Sequence, residues 1–401
     1  MTFTATRRTL LGGAATAGLV GAVAAPAPAR RPVTGPLPTL GLITPSVPGR
    51  PAVSRRGDRL AAGLGVALPG VRLHRAEVPF GLHGVEDSAS DLLRRGADVL
   101  VVALADAVGS RVLELAGDAG AGVVLAGVGA HVPDHVGGAV RTSLQHWQSA
   151  LTLGQYAARR LGPSLHQLVL APDAGYDSVF AVRRGFTGAG GRDSGTTVVD
   201  THEPGDLARA ARQVRAAGAA VVHVAATGDR AARAVAALRA AGVTADLLLD
   251  PTLTEREFRR GLGAGARGAH TVTAAVDRAR LGELRRAMSA GGRGRPDAFA
   301  VLGHDTGLLL GLAVGRRGRA RWSTLPDLLA GARVRGVRGV QRVHASGLVS
   351  TPLVVRRFVA AGSGVKVRDV AARPRVGGRS PALAVVTGRH ASGYLNEYLT
   401  T

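Results

Sequence analysis

The stretch from Asp98 to Pro133 constrains the fold more than any other. It holds two short apolar runs, Asp98-Val-Leu-Val-Val-Ala-Leu-Ala-Asp106 and Gly122-Val-Val-Leu-Ala-Gly-Val-Gly-Ala-His-Val-Pro133. Each run is too short for a helix and is bounded by turn residues, the pattern of a parallel strand buried on both faces. Between them Val108, Val112, Leu115 and Ala116 fall on one helical face. The unit is therefore strand, helix, strand. In sheets of this kind ligands sit beyond the carboxyl ends of the strands. Asp106 and the Gly127–His131 loop occupy that end.

The same alternation fills most of the chain. Strands are expected at 39–44, 71–78, 166–171, 196–201, 219–225, 246–250, 270–276 and 352–359. Helices are expected at 53–66, 88–95, 147–161, 176–186, 206–217, 229–241, 255–262, 281–290, 299–314 and 325–330. Asp206 and Asp229 are cap candidates for their helices. A turn-rich strand pair spans 336–347, and the region after Ser363, rich in Arg, Gly and Pro, has only a strand-like Ala384-Val-Val386. Two successive strand–helix blocks imply two doubly wound α/β sheets.

Composition narrows the function. The chain has 401 residues, 46% hydrophobic and 20% charged, enough for two lobes. Aromatic residues make up only 3%, so Ala, Val and Leu must build the core. A formal charge of +23 invites a polyanion partner. The arginines are scattered, however, and Lys366 is the only lysine. No basic arm or aromatic-interleaved patch exists, which argues against nucleic acid. There is no cysteine, which excludes disulfides, thiol chemistry and a lipid anchor on a cysteine.

The N-terminus reads as an address. Thr6-Arg7-Arg8-Thr9-Leu10-Leu11 precedes an apolar, small-residue run to Ala25, and Ala22-Val-Ala24 or Ala27-Pro-Ala29 fits a cleavage site. The paired arginines resemble a twin-arginine export signal. The run is too short and Gly-rich for a membrane span, and none is expected in the mature chain. Residues 1–29 are thus a signal peptide and 30–38 a proline-rich linker. Catalytic signatures are missing. There is no Gly-x-Ser-x-Gly elbow and no Gly-x-x-x-x-Gly-Lys loop, so no enzyme and no cofactor is expected. His304-Asp305 at the start of an apolar helix could hold a metal on paper, but the histidines do not cluster at ligand spacing, and no metal is expected.

Several motifs carry a resemblance. They are Pro45-Ser46 after the first strand, Arg141-Thr142 before a long helix, Asp173-Ala-Gly-Tyr176-Asp177 before a helix ending in Phe186, and Gly336-x-x-Gly339 closing with Gly347. Their order resembles that of the type 1 periplasmic binding proteins, nearest the Leu/Ile/Val-type substrate-binding proteins of ABC transporters. The resemblance covers about Thr39 to Gly362. It implies two lobes joined by three hinge crossovers, near Val140, Ala269 and Gly339. Lobe 1 would comprise 39–140 and 270–338, and lobe 2 would comprise 141–269 and 339–362, with 363–401 an extension. It also implies a ligand cleft carrying Asp106, Ala130, His131, Tyr176, Thr227 and Thr252. Asp106 stands where relatives often use a serine for the ligand carboxylate. Thr227 and Thr252 stand where amino-acid binders often carry a tyrosine and an acidic residue, with Asp250 close by. A carboxylate at Asp106 repels an anionic group, so a cationic, amide-like or polyol solute fits better than a branched-chain amino acid.

The expected protein is a monomeric, exported solute-binding protein with a small-molecule ligand and a possible ABC permease partner. Three alternatives stay open: a sensor uncoupled from transport, a basic protein bound to anionic envelope polymers, and a secreted α/β enzyme. Each residue also has a plainer role. Asp106 can cap the following helix, His131 can be a solvated loop residue, and Asp250-Pro251 can start a turn.

Overall fold

The computed structural model describes residues 35–46, 51–79, 84–104, 110–129, 137–170, 176–199, 205–255, 259 and 261–370; side chains at 51–53, 110–111 and 176–177 are outside that description. The proposed signal peptide lies outside the described residues. The expected linker does not extend to residue 38, because Leu37 already packs on the first core and Pro38 is buried.

The opening strands and helices are β1 (Leu40–Ser46), α1 (Pro51–Ala67), β2 (Leu73–Pro79), α2 (Val85–Arg94), β3 (Val99–Val102), α3 (Ser110–Asp118), β4 (Gly122–Leu125) and β5 (Ala139–Arg141). They form a wholly parallel sheet in the order β2-β1-β3-β4-β5. The runs Val-Leu-Val-Val and Gly-Val-Val-Leu are buried at every residue, as their uninterrupted apolarity predicts. Alternation splits them between two cores. Val99 and Val101 face Leu60 and Leu64 of α1, whereas Leu100 and Val102 face Leu92 of α2 and Val112 of α3. Each fully buried Leu adds roughly 2 kcal/mol of apolar transfer.

The second sheet follows. Its parts are α4 (His146–Arg160), β6 (Ser164–Leu170), α5 (Tyr176–Gly188), β7 (Arg192–Val199), α6 (Asp206–Ala217), β8 (Val221–Ala225), α7 (Gly228–Ala240), β9 (Asp246–Leu249) and β10 (His270–Ala274). α4 and α5 cover one face, and α6 and α7 the other. The caps differ from expectation. Gly205 in the left-handed region caps α6 and Thr227 caps α7, while Asp206 and Asp229 lie in the first turns. There a carboxylate still faces the positive helix end. The helix expected over 255–262 falls partly outside the described residues. Before it, a short 3-10 turn covers Pro251–Thr254.

The chain then gives α8 (Arg278–Ala290), α9 (Ala298–Arg317), α10 (Leu325–Leu329), β11 (Arg333–Gly336), β12 (Gly339–Val343), β13 (Val349–Ser350), β14 (Leu353–Ala361) and β15 (Gly364–Asp369). α9 packs along α1 and has the length and apolarity of a membrane span, but most of it is buried inside the protein, with Leu302, Leu309, Leu310 and Ala313 in the first core. β11, β12 and β13 form a small antiparallel sheet, whose Val343 and Val349 join the first core.

The lobe boundaries therefore need correction. β10, expected in lobe 1, is a central strand of the second sheet, in the order β15-β14-β10-β9-β8-β6-β7. Residues 339–350, expected in lobe 2, belong with the first. The crossovers lie at 142–145, 275–277 and 351–352. β10 pairs with β14 antiparallel, so the second sheet is mixed rather than purely parallel. Residues 364–369, expected in an extension, are its edge strand, paired with β14. Ala384–Val386 lies outside the described residues.

Candidate functional site

In chain order the six expected cleft residues follow the parallel strands β3, β4, β6, β8 and β9. Asp106, Ala130 and His131 lie outside the described residues. Tyr176 opens α5, its side chain outside the description. Thr227 is the extended residue that caps α7, its side chain making no capping bond. Thr252 turns inward to its neighbour. Its N–H and Oγ1 donate to Asp250 Oδ1 at 2.8 and 2.5 Å. Asp250 thus starts and caps the Pro251–Thr254 turn, as the Asp-Pro pair allows.

A cavity of about 710 Å³ opens between the lobes, within the range of small-molecule sites. The first lobe supplies Arg55 from α1, Leu281 from α8, and Asp297 and Val301 at the start of α9. The second supplies Pro251, Thr254, Glu255, Thr273 and Arg356. The first two crossovers supply Leu144 and Val276, the β11–β12 turn supplies Val337 and Arg338, and His146 stands at the start of α4. Apolar walls with a few charged groups suit a solute that has a hydrocarbon body and polar ends.

Several wall charges are held by neighbours. Asp297 accepts Ala300 N–H at 2.8 Å as a helix cap and binds Arg59 Nε at 2.8 Å. Arg356 faces Asp369 at 3.1 Å. Burial lowers the Arg356 pKa, and Asp369 opposes the shift. Arg338 is 3% exposed, and its Nε donates to the fully buried Asp305 at 3.1 Å. Burial pushes the His146 pKa down; Asp250 opposes this and Arg56 adds to it.

Behind His146 a water-sized space of about 10 Å³ is bounded by Ser149, His223 and Asp250, among others. His223 Nδ1 pairs with Gln167 Nε2 at 3.0 Å. Burial brings its pKa down to about 4 against the pull of Asp250. His304 and Asp305 lie inside α9 rather than at its start. There Asp305 takes Arg338 and two backbone N–H groups, which corrects the paper reading of a metal pair. Among the described residues no three His, Asp or Glu side chains converge on a metal position.

Sequence reasoning missed Arg55, His146, Glu255, Arg338 and Arg356 as cavity residues. Only Arg338 carried a signal, since it sits inside Gly336-x-x-Gly339. The rest come from helices and strands far apart in the chain, and only the crossing of the lobes assembles them.

Two α/β lobes, three crossovers and a cavity shared by both lobes define a clamp-type binding protein. Residues 84–363 match the profile of the family described as Periplasmic binding protein, and the chain belongs to that family. No curated protein sequence matches it. Solved structures share the fold. A substrate-binding protein of an ABC transporter from Sphaerobacter thermophilus superposes with a TM-score of 0.69 at 17% identity, covering 84% of this chain and 97% of its own. A leucine-, isoleucine-, valine-, threonine- and alanine-binding protein from Brucella ovis, in a closed conformation, gives 0.66 at 15% identity, covering 84% and 94%. A solute-binding protein of an ABC transporter from Rhodopseudomonas palustris, in complex with 3,4-dihydroxybenzoic acid, gives 0.62 at 17%, covering 84% and 98%.

Proposed function

We propose that this chain is an exported solute-binding protein that captures a small polar molecule between its lobes and presents it to an ABC importer. The shared inter-lobe cavity of about 710 Å³ carries this reading, because its walls come from both lobes and from the first two crossovers. Closing the lobes would bring Arg55 and Glu255 onto one solute from opposite sides. Asp106, Ala130, His131, Tyr176, Thr227 and Thr252 are proposed to extend the same cleft. One fold relative is named for binding amino acids and another is in complex with an aromatic acid, and the mixed charge of the cavity admits either, as well as an amide. Export by the twin-arginine signal and a monomeric state complete the proposal.

A thermal-shift screen of the chain from about Arg30 tests it, with amino acids, amides, polyamines, sugars and aromatic acids. A solute at ~100 times its dissociation constant adds roughly 2.7 kcal/mol, a clear rise in Tm. Loss of that rise in Glu255→Ala and Tyr176→Ala would place the solute in the cleft. A folded protein that responds to no compound would sink the reading.

A further inference from the structure

The geometry points to the buried Asp305–Arg338 pair as the element that sets the lobe equilibrium and transmits an occupant of the cavity to the hinge. Both charges are almost wholly removed from water, 0% and 3% exposed. A charge pair so placed repays its desolvation only when every donor and acceptor is used. The uses of this pair join the β11–β12 turn, α9 and the first crossover. Arg338 Nη1 donates to Ser143 O at 2.7 Å and Nη2 to Thr142 O at 3.2 Å, gripping the first crossover by its carbonyls. Nη2 also donates to Gln341 Oε1 at 3.3 Å. Asp305 in turn accepts the N–H groups of Val337 and Arg338 at 2.8 and 3.1 Å, which fixes the turn between β11 and β12 on α9. The second crossover joins the same turn, since Asp277 N donates to Val337 O at 2.8 Å. The third is tied to the first through Gln145, whose Nε2 donates to Val349 O at 2.6 Å and whose Oε1 accepts from Thr351 Oγ1 at 2.6 Å.

Two further observations fit a device rather than a generic core pair. Gln145 holds φ at 60°, the one non-glycine residue at positive φ among the described residues, at the point where the first crossover is clamped. A Cβ on Gly336 would run into Asp305 Oδ1 and Gln341 Nε2, so the turn closes on the pair only with glycine there. Val337 and Arg338 also line the cavity, whereas Asp305 does not. A solute touching that wall therefore acts on a guanidinium that holds the strands along which the lobes rotate. The effect on solute affinity rests on the solute-binding reading; the effect on lobe position does not.

The absence of cysteine permits clean labelling. Spin labels at Arg94→Cys on α2 and Arg212→Cys on α6, both exposed, report the distance between the lobes. The backgrounds are the native sequence, Asp305→Asn, and the double variant Asp305→Leu with Arg338→Met, which removes both charges together and so keeps a foldable core. Circular dichroism confirms folding. Without solute, the variants should show a broader label distribution with a second population. A merely structural pair would lower Tm and leave the distances unchanged, and that result would overturn the proposal. The second arm adds L-leucine, L-glutamine, spermidine, glucose or benzoate, whichever raises the Tm of the native sequence. Weaker binding and a smaller distance change in Asp305→Asn support the coupling, because Asp305 is off the cavity wall. Unchanged binding and closure overturn it. If none of the five probes binds, the solute-binding reading fails for those classes, and the label distances still decide the hinge.

Discussion

His223 is an imidazole that the second sheet keeps neutral. It stands on β8, buried on every side, and its pKa is held to about 4 by burial, with Asp250 opposing. An unfolded histidine titrates near 6.5. Between these values the unfolded chain binds more protons than the folded one, so stability falls as pH drops from about 6.5 to about 4 and is flat above that window. The loss at about pH 5 is on the order of 2 kcal/mol from this residue. His223→Gln keeps an amide beside Gln167 and should flatten the fall, which urea midpoints at about pH 7 and about pH 5 would show. An equal fall in the variant would show that other groups set the acid limit. Asp305 acts in the same direction, in a lower pH window and as a charged rather than a neutral group. Burial pushes its carboxyl up, but the His304 hydrogen bond, the Arg338 charge and the Val337 N–H bring it below the usual carboxylate range. Its contribution is present above the unfolded carboxylate value and is lost as pH falls through the lower folded value. Gly336→Ala belongs to the same cluster and should cost about 1–3 kcal/mol, because the new Cβ meets atoms that cannot move without breaking the pair. At this scale the sequence showed where but not why. The spacing Gly336, Gly339 and Gly347 was visible, and the structure explains each: room for Asp305, a turn at φ 81°, and a φ of 78° beside the Ala139 carbonyl. Asp305 was opaque, since a carboxylate inside an apolar helix does not announce which distant arginine it meets.

Helix pairs organise each lobe through glycines that the periodicity of the sequence treats as flaws. In the first lobe, a Cβ on Gly63 would strike the Ala300 carbonyl, and one on Gly303 would strike the Leu60 carbonyl. In the second, Gly154 and Gly185 make the same exchange with Val182 and Leu151. α1 and α9, and likewise α4 and α5, thus approach backbone to backbone. In an exposed helix Gly→Ala is worth about 1 kcal/mol of added stability. Here the clash with a fixed carbonyl outweighs it, and Gly303→Ala and Gly154→Ala should each destabilise by roughly 1–3 kcal/mol. Gly282→Ala in α8 is the control. Its new Cβ meets only the end of the Arg286 side chain at 3.7 Å, so it should be neutral or stabilising. Equal melting shifts in all three would refute the close-packing account. Element type was largely legible because the runs at β3, β4 and β8 are unbroken. The partner of a strand was not. His270–Ala274 has the same apolar character whichever sheet receives it, and only pairing with Leu353–Arg357 settles the matter.

The whole molecule is two lobes threaded three times. Its plan was readable from the alternation of elements, and the clamp from the motif order. The cavity was not readable, because Arg55, Glu255 and Arg356 converge only after both lobes form. Solute capture should appear as a smaller radius of gyration in small-angle scattering; an unchanged radius with a bound solute would mean that the lobes do not close. The threading also governs the order of synthesis. β1 and α1 are made early, yet the face of α1 at Gly63 lacks its helical partner until α9 is made, after the bulk of the second lobe. The second sheet waits too, since β10 lacks its antiparallel neighbour until β14 emerges. Neither lobe can finish early and shelter the other, so a nascent chain halted before α9 exposes two unfinished cores at once and is a natural client for chaperones.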